Sequence, residues 1–168
     1  MLLIFLIGPP GAGKTSIARQ LASNLSEVLK CSALHIEIDD LRHMVVKSRS
    51  ESNENPAWLS LLRSIIKQAE LDFEVIIVEG FFSCNSTVEQ FISDYPRTKI
   101  FVIEAPLEVC LSRNRQRSNP LEILPDEEIK ELYPDNYSAQ WTRIKSVDPI
   151  PVLVSEMVRK LTASDKYE

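Results

Sequence analysis

An apolar run from Leu2 to Ile7 passes directly into Gly8-Pro9-Pro10-Gly11-Ala12-Gly13-Lys14-Thr15, which holds three of the chain's four glycines. The pattern G-x-x-x-x-G-K-[ST] is the phosphate-cradling P-loop, and its mechanics require a strand before it and a helix after it. Glycine lets the backbone turn tightly and aim successive N–H groups at a polyphosphate. A helix starting near Gly13 or Lys14 adds its positive end to the same anion site. The positions expected to hold the nucleotide are Gly8, Pro9, Pro10, Gly11, Ala12, Gly13, Lys14, Thr15 and Ser16. Among these, Lys14 would reach the β- and γ-phosphates and Thr15 would ligate Mg²⁺ through its hydroxyl. The competing reading, a Gly/Pro surface loop, does not account for the strand and helix patterns on either side.

A length of 168 residues fits one domain spanning 1–168 with a sizeable core. Hydrophobic residues make up 44% and charged residues 26%, an ordinary soluble composition. No window approaches the ~20 apolar residues of a membrane span. The opening Met-Leu-Leu-Ile-Phe-Leu-Ile lacks a basic leader and reads as a buried strand rather than a signal peptide. Cys31, Cys84 and Cys110 are far apart and odd in number, without metal or redox spacing, which fits reduced thiols in a cytoplasmic protein. A formal net charge of −5 argues against an extended nucleic-acid surface and leaves room for a local basic site. No obligate protein partner is evident.

Strand and helix patterns alternate throughout, which predicts a three-layer α/β sandwich around a five-stranded parallel sheet. The expected strands are 2–7, 33–38, 73–78, 99–103 and 142–147, with 150–154 as an alternative for the last. Helices are expected from Lys14 to about Leu29 (Ile17, Leu21, Leu25 and Val28 on one face), from Asp39 through Val46, and from Pro56 through Ala69. Others are expected after Pro106, near 126–132 and from about Pro151 to Leu161. The polar stretch 47–55 reads as a mobile loop.

Ligands of open parallel sheets bind beyond the carboxyl ends of the strands. Asp39-Asp40 and Glu79 close the second and third strands there, beside the P-loop. Asp39 is placed to take a proton from an attacking hydroxyl. Asp40 is the second reading for that role, with helix capping as its simpler one. Arg42 would grip a negative group of an acceptor, or else be a solvated helix arginine. Glu79 would hold a Mg²⁺ water or touch the acceptor, or else be a satisfied structural carboxylate. Arg113, Arg115 and Arg117 open a segment, about 113–133, able to close as a lid and neutralise charge on a transferred group. Arg113 and Arg117, four apart, share a helix face. His35 reads as a packed strand histidine and His43 as a surface residue. Trp58 and Arg63 read equally as pocket lining or as packing and surface charge, and Tyr137 and Trp141 as packing, with a border to the adenine as the alternative.

Asp39-Asp-Leu-Arg42 after the second strand, Val78-Glu79-Gly80 after the third, and Ala105-Pro-Leu-Glu-Val-Cys-Leu-Ser-Arg113-Asn-Arg-Gln-Arg117 resemble the small P-loop kinases. The likeness is strongest to the kinase domain of polynucleotide 5′-hydroxyl kinases. The group also contains chloramphenicol phosphotransferase, gluconate kinase, adenylylsulfate kinase and zeta-type toxin kinases. It spans about Leu2 to Val158. The resemblance implies ATP and Mg²⁺ as cofactors, Lys14, Asp39, Arg113 and Arg117 in catalysis, and Arg42 on the acceptor. That acceptor would be a small hydroxylated molecule, a nucleoside-like compound or a polynucleotide 5′ end. Glu79 departs from the aspartate such polynucleotide kinases tend to carry. A regulatory nucleotide-binding module and an NTP hydrolase without an acceptor are the alternatives. The Asp-x-x-Gly and Asn-Lys-x-Asp signatures of a GTPase switch are both absent from the sequence.

Overall fold

Leu3 to Ile7 are wholly enclosed, as a strand with apolar residues on both faces must be when sheet neighbours and helices cover it. In the computed structural model, which describes residues 1–28, 30–45, 56–82, 85–118, 123–133 and 137–164, this strand, β1 (Leu2–Ile7), is the centre of the sheet. It is followed by α1 (Lys14–Val28), β2 (Ala33–Glu37), α2 (Ile38–Met44), α3 (Pro56–Ala69) and β3 (Val75–Gly80). Then come α4 (Asn85–Asp94), β4 (Thr98–Glu104), α5 (Leu107–Arg115), α6 (Asp126–Glu131), β5 (Thr142–Lys145) and α7 (Ile150–Ser164). The five strands run in the order β2-β3-β1-β4-β5, with every pairing parallel.

Each face of the sheet carries its own apolar layer. On one side Ile4 and Leu6 meet Ile17, Leu21 and Leu25 of α1 and Leu153, Val154 and Met157 of α7. On the other, Leu3, Phe5 and Ile7 meet Leu62 and Ile66 of α3 and Val88 and Phe91 of α4. Phe5 packs its ring against Phe82 at 5.6 Å and Phe91 at 5.2 Å, contacts worth about 0.5–1.5 kcal/mol each beyond the area they bury. The three-layer parallel α/β architecture is thus the one the alternation predicts.

Several details differ from the sequence expectations. Val28 is 65% exposed, because the apolar stripe of α1 ends with Leu25 one turn earlier. The second strand stops at Glu37, and Ile38 already belongs to α2. A Cβ on Gly80 would come within 2.9 Å of the Ile38 Cβ, so the bare glycine is what lets Ile38 tuck against β3. The helix α4 was not expected, although two parallel strands cannot be joined without a crossover. The final strand is 142–145, and residues 150–154 open α7, where Leu153, Met157 and Leu161 repeat at helical spacing. The stretch 47–55, Val46 and Cys84 lie outside the described residues. No helix among the described residues is long and apolar enough to cross a membrane.

Candidate active site

At the carboxyl end of the sheet, β1 has β3 on one side and β4 on the other, and the chain leaves it through the glycine-rich loop. Gly8, Pro9 and Pro10 are buried, whereas Ser16 is exposed on the first turn of α1. Gly11 has φ +79°, and a Cβ there would run into the Cys110 carbonyl. Both the backbone angle and the close approach of α5 require glycine.

Lys14 Nζ donates to the Pro9 carbonyl at 3.0 Å, so its ammonium lies folded over the loop. Burial lowers its pKa, and the negative charges of Glu79 and Asp39 oppose that shift, while Arg117 adds to it. Thr15 Oγ1 donates to Glu79 Oε1 at 2.6 Å, joining the start of α1 to the end of β3. Glu79 is buried, and desolvation raises its pKa against the pull of Lys14 and the Thr15 hydrogen bond. A hydroxyl whose proton is committed to a carboxylate turns its lone pairs elsewhere, which suits Thr15 as a ligand of a phosphate-bound Mg²⁺.

On the β2 flank, Asp39 lies in the first turn of α2 with its carboxylate open to solvent. Arg42 Nη1 approaches Asp39 Oδ1 at 3.3 Å, and Arg42 Nη2 donates to the Phe81 carbonyl at 2.9 Å. The guanidinium sits 4.9 Å from the centre of the Trp58 ring, a cation–π geometry. Its Nε is buried and has no hydrogen-bond partner among the described residues. Trp58 is thus both core and floor: it packs on Phe82 and carries Arg42. Arg63 has a different place, paired with Asp94 and lying over Phe91.

Arg113 occupies the opposite flank. Its Nη1 donates to the carbonyls of Gly11 (3.4 Å) and Ala12 (3.2 Å) and to Ser146 Oγ (3.2 Å), and Nη2 donates to the Ser146 carbonyl at 3.3 Å. It ties the back of the P-loop to the segment between β5 and α7. Arg115 pairs with Asp126, joining α5 to α6. Buried Asn114 donates to the Leu124 carbonyl (2.8 Å) and accepts from the Leu124 N–H (3.1 Å), pinning the returning chain. A cavity of about 440 Å³, bounded by Pro9, Pro106, Tyr133, Tyr137, Arg143 and Lys145 among others, opens beside the loop over β4 and β5.

The structure thus brings together Lys14, Thr15, Glu79 and Asp39, with Arg42 beside Asp39 and Arg113 on the loop's far side. Ser146, Asn114 and the Phe81 carbonyl were not foreseen. Ser146 and Asn114 are among the few buried polar residues, a property no spacing rule in this sequence reveals.

A family model described as an AAA domain matches residues 3–133. No curated protein matches the chain in sequence. Among solved structures, the fold is similar to a sugar kinase from Janibacter sp. HTCC2649, with TM-score 0.72, 15% identity, and 96% of this chain and 95% of that one covered. It is also similar to a gluconokinase from Sinorhizobium meliloti 1021 (TM-score 0.66, 15% identity, 96% and 92% covered). A third is shikimate kinase from Aquifex aeolicus vf5 (TM-score 0.56, 18% identity, 99% and 100% covered).

Proposed function

The chain belongs to this AAA-domain family, and from that premise we propose that it is an ATP-dependent kinase that phosphorylates a hydroxyl group. The observation that carries the reading is the 2.6 Å hydrogen bond by which Thr15 at the end of the P-loop meets Glu79 at the end of β3, with the exposed Asp39 carboxylate and its neighbour Arg42 at the end of β2. A cradle for a triphosphate and a solvent-facing carboxylate stand at one sheet edge, and an anchored guanidinium stands beside them.

In the proposed reaction the acceptor oxygen attacks the γ-phosphorus and the bond from that phosphorus to the β,γ-bridging oxygen breaks. ADP departs, and the hydroxyl proton passes to Asp39. Lys14 leaves the Pro9 carbonyl for the β- and γ-phosphates, where its charge balances that building on the transferred group. Thr15, with Glu79 behind it, would hold Mg²⁺, which would supply further neutralisation of phosphate charge. Arg117, whose charge acts on Lys14, would neutralise charge on the transferred group; of the expected lid 113–133, residues 119–122 lie outside the described residues. Arg42 takes an anionic group of the acceptor through the partly exposed part of its guanidinium, whose plane is fixed by Trp58 and the Phe81 carbonyl. Acceptors named for the structural neighbours, a sugar, gluconate and shikimate, make small hydroxylated molecules the first class to try, and a polynucleotide 5′ end the second.

The test is transfer of labelled γ-phosphate from Mg·ATP to a panel of sugars, sugar acids, shikimate, nucleosides and 5′-hydroxyl oligonucleotides. Asp39→Asn is expected to slow transfer by about 10²–10⁴-fold while ATP affinity stays near wild type. Transfer that survives this substitution at the wild-type rate removes Asp39 as the base. Phosphate release that no acceptor redirects, in wild type and variant alike, supports a hydrolase instead.

A further inference from the structure

Behind Thr15, away from the loop, lies a cluster of which the phosphoryl-transfer reading uses only Glu79. Glu37 on β2 pairs in register with Glu79 on β3, and His35, two residues before Glu37, shares its face of the sheet. The ligand atoms of His35, Glu37 and Glu79 all lie within 4.8 Å of one another. His35 Nε2 is 3.9 Å from Glu79 Oε1, too far for a hydrogen bond. That nitrogen is nonetheless enclosed and has no hydrogen-bond partner among the described residues. One ring nitrogen and two carboxylates thus converge, and the side-chain donors seen to reach the carboxylates are Thr15 on Glu79 and Arg19 on Glu37 at 2.7 Å. A buried polar atom of this kind is costly unless something pairs with it.

We propose that His35, Glu37 and Glu79 form a binding site for a divalent transition-metal ion, separate from the phosphate-bound Mg²⁺ position at Thr15. Two bonds of roughly 2.0–2.2 Å to a single ion span up to about 4.3 Å, which the His35–Glu79 separation of 3.9 Å satisfies. Glu37 is partly exposed and able to close the remaining gap from the solvent side. A mixed nitrogen and oxygen donor set suits Zn²⁺, Co²⁺ or Ni²⁺ over Mg²⁺, which favours oxygen alone. Because Thr15 donates to the same Oε1 that faces His35, an ion there draws Glu79 from Thr15. The ion and Mg·ATP then weaken each other's binding by the same factor.

The site is tested without reference to any acceptor. The nucleotide-free protein is titrated with Zn²⁺ by calorimetry in excess Mg²⁺, and Co²⁺ loading is followed by visible absorption. One ion per chain is expected, with a Co²⁺ spectrum free of thiolate charge-transfer bands. His35→Asn and Glu37→Gln should each weaken Zn²⁺ at least about tenfold. Glu37→Gln alters a partly exposed side chain and keeps the test in force if His35→Asn fails to fold. Absence of saturable binding in Mg²⁺ overturns the proposal. Binding that neither substitution changes does so too, as does a thiolate band assigning the metal to cysteine.

Discussion

Tyr137 shows how one atom can carry a stability term. Its ring is buried beside Trp141, 6.4 Å between ring centres, yet its hydroxyl has no hydrogen-bond partner among the described residues. Burying such a group unpaired costs about 1–3 kcal/mol. Tyr137→Phe keeps the ring and removes the cost, so unfolding by urea should require equal or higher denaturant. Burial also pushes the phenol pKa up from its ordinary value near 10. Above about pH 10 the unfolded chain loses this proton while the folded one keeps it, and stability falls as pH rises. The Phe variant should lack that part of the alkaline loss. A variant less stable than wild type at neutral pH would mean that the hydroxyl is paired after all, and an unchanged alkaline slope would mean that its pKa is not raised in the fold. The sequence made the ring legible as packing; an unmatched hydroxyl has no signature in residue order.

At the scale of elements, the legible parts were those written in local pattern. The uninterrupted apolar runs of β1 and β3 and the stripe of α1 announce themselves because burial on two faces or one demands them. The helix α4, with only Val88 and Phe91 fully inside, carries too short a stripe to stand out beside its polar neighbours. The P-loop, Asp39 and Glu79 could be placed at one edge from strand ends alone. Arg113 and Arg117 could not be told apart that way, since helical spacing puts them on one face. The structure separates their surroundings: Arg113 bonds Gly11, Ala12 and Ser146, while Arg117 acts electrostatically on Lys14. A split in kinetics should follow. Arg113→Ala loosens the loop from the β5–α7 segment and should raise the KM for ATP several-fold with a smaller change in kcat. Arg117→Ala should lower kcat by about 10²-fold or more with little change in KM. Equal effects on both parameters in both variants would place the arginines in one shared role.

The site is a property of the whole molecule, because its parts come from every layer. Gly8 to Gly13 hang from β1, Thr15 leans on Glu79 of β3, and Arg113 of α5 clamps the loop to Ser146 beyond β5. No unfolded chain holds these groups together, so Mg·ATP bound as proposed would bind the folded state alone and stabilise it by mass action. At a ligand concentration of ~100 times Kd the gain is about 2.7 kcal/mol. For a chain of 168 residues that amounts to a rise in melting temperature of roughly 5–10 °C. Thermal unfolding with and without Mg·ATP therefore separates binding from chemistry in a way a rate assay does not. Lys14→Ala removes the ammonium that would meet the phosphates, and most of the shift should disappear with it. Asp39→Asn alters only the proton acceptor in the proposed reaction, and the shift should remain close to that of wild type. Loss of the shift in Asp39→Asn as large as in Lys14→Ala would move Asp39 into the donor site and leave the hydroxyl proton to another group. Retention in both would mean that the loop's backbone N–H groups and the α1 end carry the triphosphate with little help from the lysine.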